Sequence, residues 1–184
     1  MTTVVFGASG LIGQFLLPRL AARGVAVTAV SRGEHAATPG TTWLRGALPD
    51  KVPALPASVE AIVCVGPLDH FSHWLERAAV AGSPAIVAMS SMSALSKRDS
   101  PLAAERELSQ RLRDSEARLL ARARVLGGTC TIVRATLIYG GPGGSLEKMA
   151  AQARRRRVFL LPRGNGLRQP VHADDLAATV VAAL

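Results

Sequence analysis

The sequence predicts an α/β protein built on a doubly wound, mostly parallel sheet with helices on both faces, and three observations predict it. Short runs rich in Val, Ile and Ala (VVF, VAVTAV, AIVCV, AIVAM, CTIV) recur along the 184 residues with little polar alternation, as strands buried on both faces do. Between most of these runs lie segments whose apolar residues recur at helical spacing, and alternation of this kind implies parallel pairing through crossover connections. A composition of 48% hydrophobic residues with 4% aromatics supplies the small branched side chains that a layered core uses.

From the N-terminus, TTVVF reads as a strand, GASGLIG as a glycine-punctuated turn, and Leu11, Ile12, Phe15, Leu16 and Leu20 as one face of a helix that Gly24 closes. VAVTAVSR is a second strand and completes a βαβ unit. GEHAATPG reads as a loop, TTWLRG as a short strand, and the Pro-rich DKVPALPAS as the connection into a fourth strand, EAIVCVG. His70 to Gly82 places Phe71, Trp74, Leu75, Ala78 and Ala79 on one helical face, and PAIVAMSS is a fifth strand ending in serines.

Ser100 and Pro101 signal the start of a long helix reaching about Leu126. Leu108, Leu112, Leu119 and Leu120 mark its apolar face, and Glu107/Arg111 and Asp114/Arg118 stand at ion-pair spacing on the other. GTCTIVRATLIYG is a strand with its exit, followed by a Gly/Pro loop, a helix from about Ser145 to Arg157, a short VFLL strand and a last helix from about Asp174. At this length one domain spanning residues 1–184 is expected.

Composition excludes several classes. No apolar run approaches the roughly 18 to 20 residues that cross a bilayer, and the N-terminus lacks the layout of a secretory signal, so a cytoplasmic protein without membrane contact is expected. Cys64 and Cys130 lie in apolar runs that read as buried strands, and two such residues make neither a disulfide framework nor a metal cluster. The formal charge of +9 favours anionic partners. Nucleic acid is disfavoured among them, because the aromatics that would stack bases are nearly absent.

The most specific feature is the segment from Gly7 to Gly13, a GxxGxxG turn between strand and helix in the first βαβ unit, which is the setting of a Rossmann-type dinucleotide site. Gly7 permits the turn off the strand, Gly10 lets backbone approach a pyrophosphate, and Gly13 lets helix and sheet pack closely. Gly7, Ser9, Gly10, Leu11, Ile12 and Gly13 are therefore the expected pyrophosphate contacts, with the helix N-terminus facing the phosphates. The tip of the second strand reads Val30-Ser31-Arg32-Gly33, without the carboxylate of NAD-specific domains. Ser31 and Arg32 instead suit a 2′-phosphate, so NADP(H) is expected ahead of NAD(H). Gly66 and Pro67, after the fourth strand, should pass close to the cofactor's ribose.

GASGLIG at 7–13, Ser90-Ser91 at a strand end, IVRATLIYGGPG from Ile132 and QPVHADDLA from Gln169 together resemble the NAD-dependent epimerase/dehydratase family, the extended or atypical short-chain dehydrogenases. The resemblance implies an NADP(H)-dependent oxidoreductase or epimerase acting on a small molecule. It points to Ser91 as the catalytic hydroxyl, with Ser90 a cofactor contact and Ser93 a neighbour. It also implies a Tyr and, four residues later, a Lys on the long helix, and here the sequence departs from the pattern. Matching Glu116 to the family's glutamate puts Leu108 and Leu112 in those two slots, and leucines cannot shuttle a proton. The acidic residue that often follows the third-strand glycine is Ala47. The chain also stops at Leu184, so the substrate lobe of extended members is expected to be absent or minimal. An alternative reading is a cofactor-binding sensor without catalysis. Oligomeric state is left open.

Other candidates reduce to structural roles. His70 and His73 lack an acidic or Cys partner for a metal and read as exposed helix residues. Asp174 and Asp175 read as carboxylates capping the last helix, and Arg154 to Arg157 as cations favoured at a helix C-terminus. Ser145 carries no nucleophile-elbow pattern.

Overall fold

The computed structural model describes residues 2–141, 145–158 and 169–184. In chain order the elements are β1 (Thr2–Phe6), α1 (Gly13–Ala22), β2 (Ala26–Ser31), β3 (Thr41–Arg45), β4 (Ala61–Cys64), α2 (Leu68–Arg77), β5 (Ala85–Ser91) and α3 (Ser93–Ser96). There follow α4 (Ala103–Val125), β6 (Cys130–Ala135), β7 (Leu137–Tyr139), α5 (Ser145–Arg156), β8 (Pro170–His172) and α6 (Ala173–Ala182). Six strands form one sheet in the order β3-β2-β1-β4-β5-β6, every pair parallel, and β7 and β8 form a separate parallel pair. The expected doubly wound α/β architecture is the one observed.

Alternate strand residues supply two cores. Val5, Val27, Ala29, Val63, Val87 and Met89 point toward α1 and α6, whereas Val4, Phe6, Val30, Ile62, Cys64, Ile86 and Ala88 point toward α2 and α4. Strands buried on both faces explain the unbroken apolar runs. Across the second core, Phe6 meets Phe71 and Trp74 with ring centroids 5.5 and 4.7 Å apart. Across the first, Arg19 of α1 grips Asp174 of α6 through two hydrogen bonds of 2.8 and 2.7 Å.

Several expectations are corrected. Helix α2 starts earlier, at Leu68, and stops at Arg77, so Ala78 and Ala79 lie beyond it. Arg122 of α4 donates to the carbonyls of Leu75 and Ala78 at 3.1 and 2.8 Å, satisfying the end of α2 while Ala78 turns extended. Leu120 is 40% exposed; the buried stripe of α4 is Ser109, Ser115, Glu116, Leu119 and Ala123. Arg118 turns from Asp114 to reach Glu76 of α2 at 3.3 Å, and Asp114 accepts from Gln110 instead. Cys130 is half-buried because β6 forms an edge of the sheet. The cap of α6 is His172, whose Nδ1 accepts the Asp174 N–H at 3.1 Å, leaving the Asp174 carboxylate for Arg19. Strand β8 and the single turn α3 add to the expected elements, and residues 159–161 of the expected VFLL strand lie outside the described residues.

Candidate functional site

The chain runs β1, β2, β3 outward in one direction and then returns to place β4 on the other side of β1. Connections therefore diverge at the carboxyl ends of β1 and β4, the place where open α/β sheets leave a crevice. A cleft of about 390 Å³ occupies it. The turn after β1 contributes Gly7, Ser9 and Gly10 to its walls, the end of β2 contributes Ser31 and Arg32, and the exit of β4 contributes Val65, Gly66 and Pro67.

The three glycines of the turn answer to different constraints. Gly7 has φ +82°, and a Cβ there would stand 2.7 Å from the Gly66 amide nitrogen, so strand exit and neighbouring loop both require its absence. A Cβ on Gly13 would run into the backbone of Ala8, which fixes how closely α1 approaches the turn. At Gly10 a Cβ would meet only the Gly7 carbonyl, at 3.1 Å. No side chain caps the start of α1, whose N-cap residue is Ile12, so the helix presents backbone N–H groups at that end.

Ser31 is the hub of the β2 end. Its Oγ lies 3.3 Å from Ser9 Oγ and 2.7 Å from His35 Nε2, and it accepts from the Gly33 amide at 3.4 Å. The His35 ring stacks on Trp43 at 4.0 Å, and the indole N–H of Trp43 donates to Thr38 Oγ1 at 3.2 Å. Sequence reasoning missed His35, because an isolated histidine in a polar loop carries no pattern. It also missed Gly46, Ala47 and Leu48 after β3 and His70 at the start of α2 as cleft residues. His70 is exposed, as expected, yet it faces the cleft.

The remaining expected site residues stand apart from the residues lining this cleft. The Ile12 side chain is buried in the core, and Leu11 packs partly against it. A Cβ on Gly141 would meet Leu11 Cδ1 at 2.5 Å, so the loop after β7 closes on the start of α1. Ser91 Oγ accepts the Ser93 amide at 3.2 Å. Ser90 donates to Glu116 Oε1 at 2.5 Å, turned toward α4. Glu116 also receives both arms of Arg134, Nε at 3.0 Å and Nη2 at 2.6 Å, which ties β5, α4 and β6 together. Burial pushes the Glu116 carboxyl up, but the hydrogen bonds from Arg134 and Ser90 outweigh it and hold the group below its ordinary value. Leu112 packs into the second core, and Leu108 is half-buried. Tyr139, the one tyrosine, lies on β7 with its ring edge-on to His172 at 5.1 Å. Among the described residues there is no cluster able to hold a metal ion and no helix long and apolar enough to cross a membrane.

The sequence matches no protein-family model, and no curated protein matches it. Solved structures do. The human epimerase family protein SDR39U1, isoform 2, crystallised with NADPH, aligns over all of this chain and 70% of its own, with 23% identity and a TM-score of 0.66. MoeE5 in complex with UDP-glucuronic acid and NAD aligns over all of this chain and 72% of its own, with 19% identity and a TM-score of 0.75. TunA, an NAD-dependent NDP-hexosamine 5,6-dehydratase of tunicamycin biosynthesis, aligns over 98% of this chain and 71% of its own, with 18% identity and a TM-score of 0.75. At these identities the likeness is one of architecture: the chain has the fold of these proteins, an epimerase family protein and a dehydratase among them.

Proposed function

We propose that the chain binds a nicotinamide dinucleotide in this cleft, with NADP(H) preferred, as one dinucleotide-binding domain. The observation that carries the reading is Gly10. A Cβ there would crowd a single protein atom, the Gly7 carbonyl oxygen at 3.1 Å, and Gly10 lines the cleft, where a pyrophosphate lying against the turn needs that Cβ absent. Gly7, Ser9, Gly10 and the backbone of Leu11, Ile12 and Gly13 would hold the phosphates at the start of α1. Ser31 and Arg32 would take the adenosine 2′-phosphate, and Gly66 and Pro67 would border the ribose. The human neighbour with NADPH and MoeE5 with NAD support the cofactor class.

The bound dinucleotide supplies hydride transfer. On this reading the protein is an atypical oxidoreductase or epimerase acting on a small molecule, with Ser91 beside the substrate or the nicotinamide. Leu108 and Leu112 supply no proton, so the proton for the substrate oxygen comes from water or from the substrate. The same two leucines favour a second reading, a cofactor-binding sensor without catalysis. Ser90 is the weakest of the cofactor assignments, because its hydroxyl is already given to Glu116.

Calorimetric titration with NADPH, NADH and a short DNA duplex tests the binding. The expected order is NADPH tighter than NADH, with no saturable DNA binding. Arg32→Glu should weaken NADPH while leaving NADH nearly unchanged; unaltered NADPH affinity would refute the 2′-phosphate role. NADPH oxidation with a panel of carbonyl compounds and nucleotide sugars separates enzyme from sensor.

A further inference from the structure

The contact between Ser31 and His35 has a chemical consequence for the cleft. Ser31 lines the cavity, its Oγ is 2.7 Å from His35 Nε2, and the imidazole stacks on Trp43. A hydroxyl has one hydrogen to give. If the His35 nitrogen is unprotonated, Ser31 gives that hydrogen to the ring and faces the cleft as an acceptor. If the nitrogen carries a proton, the ring donates to Ser31 Oγ, and the hydroxyl hydrogen is released toward the cleft or Ser9. The charged ring can only donate to Ser31, whereas the neutral ring donates or accepts according to its tautomer, so protonation removes the accepting face at one point on the cavity wall.

Resting on the reading of the cleft as a dinucleotide site, we propose that His35 is a positioning residue that sets cofactor selectivity through Ser31. With His35 protonated, Ser31 donates to a 2′-phosphate and the site favours NADPH. With His35 neutral, the tautomer carrying its proton on Nδ1 lets Ser31 accept from a ribose 2′-hydroxyl, and the advantage shrinks. Histidine side chains as a class change charge between about pH 5 and 8, the window that the test spans. The charged residues on the elements that carry His35 and Trp43 are Arg32 and Glu34 on the loop and Arg45 at the end of β3, the last 3.9 Å from Glu34. Of the two arginines only Arg32 lines the cleft, and as a guanidinium it adds a pull on the phosphate that does not depend on His35.

The test measures dissociation constants for NADPH and NADH between pH 6.2 and 8.2 with the full chain, with His35→Gln and with Ser31→Ala. Phosphate ionisation near pH 6 acts equally on all three proteins and cancels in the comparison. The NADPH-to-NADH affinity ratio of the unsubstituted chain should be about tenfold higher at pH 6.2 than at pH 8.2, relative to the same ratio in His35→Gln, the effect of one hydrogen bond gained against one lost. Ser31→Ala should be as flat as His35→Gln. Equal pH slopes in all three proteins, with both dinucleotides still bound, overturn the role of His35 and leave the cleft assignment standing. Absence of dinucleotide binding in the unsubstituted chain at every pH overturns both.

Discussion

Replacing Arg134 by alanine should destabilise the protein in a way that grows with pH, and the Glu116 geometry sets the size. The Glu116 side chain is 5% exposed and holds three hydrogen bonds, two of them from Arg134, which is itself 38% exposed. Breaking a buried ion pair costs about 3 to 5 kcal/mol, and solvent screening of the half-open arginine reduces this to about 2 to 3 kcal/mol. For a chain of this size each kcal/mol moves Tm by about 2 to 4 °C, giving a loss of about 4 to 12 °C at neutral pH.

The sign with pH follows from linkage. In the unsubstituted protein the folded Glu116 value lies below its ordinary 4.5, so its contribution is present above that value and lost as pH falls through the lower folded one. In Arg134→Ala, burial dominates with only Ser90 left to donate, and the folded value rises above the unfolded one. Stability then falls as pH rises from about 4.5 through that raised value. Urea unfolding followed by circular dichroism at pH 5, 6, 7 and 8 should show the gap to the unsubstituted protein widening with pH. The double variant Arg134→Ala/Glu116→Gln, which has no carboxylate to strand, should lose that widening. A gap that stays constant from pH 5 to 8 would refute the reasoning.

Three further outcomes are expected. Gly10→Ala should leave the unfolding free energy within about 1 kcal/mol of that of the unsubstituted protein and weaken NADPH binding, whereas Gly7→Ala, at φ +82° and 2.7 Å from backbone, should cost about 1 to 3 kcal/mol of stability; equal thermal melts for the two would contradict the assigned roles. Burial pushes the Cys64 thiol up to about 12 and the Cys130 thiol up to about 11, so iodoacetamide at pH 8 should label both slowly in the native protein and quickly in denaturant, as mass spectrometry reads out. Asp174→Asn should lower Tm by less than Arg134→Ala, because solvent reaches both partners of the Arg19 pair, and since the hydrogen bonds from Arg19 hold the folded Asp174 carboxyl below its ordinary 3.8, the effect is full above that value and should be lost as pH falls through the lower folded one.

The sequence by itself determined the layers and the turn. Strands of the main sheet are legible because residues buried on both faces must be apolar in unbroken runs, as in AIVC of β4, and the glycine turn is legible because Gly7 and Gly13 sit where any Cβ collides with backbone. Local chemistry was also enough to place Ser31 and Arg32 at the tip of β2 and Gly66 and Pro67 after β4. Strand order and crossover place these three separate segments in one cleft.

Only the tertiary structure decided the rest. The end of α2 is set by Arg122, 44 residues beyond the Ala78 carbonyl it satisfies, and the destination of Ser90 on β5 is set by Glu116 on α4. His35 gains its place from Trp43 and Ser31 rather than from any periodicity. Each of these depends on side chains distant in sequence or on a loop without a repeat, and a pattern read along the chain contains no term for which polar groups meet once the layers close.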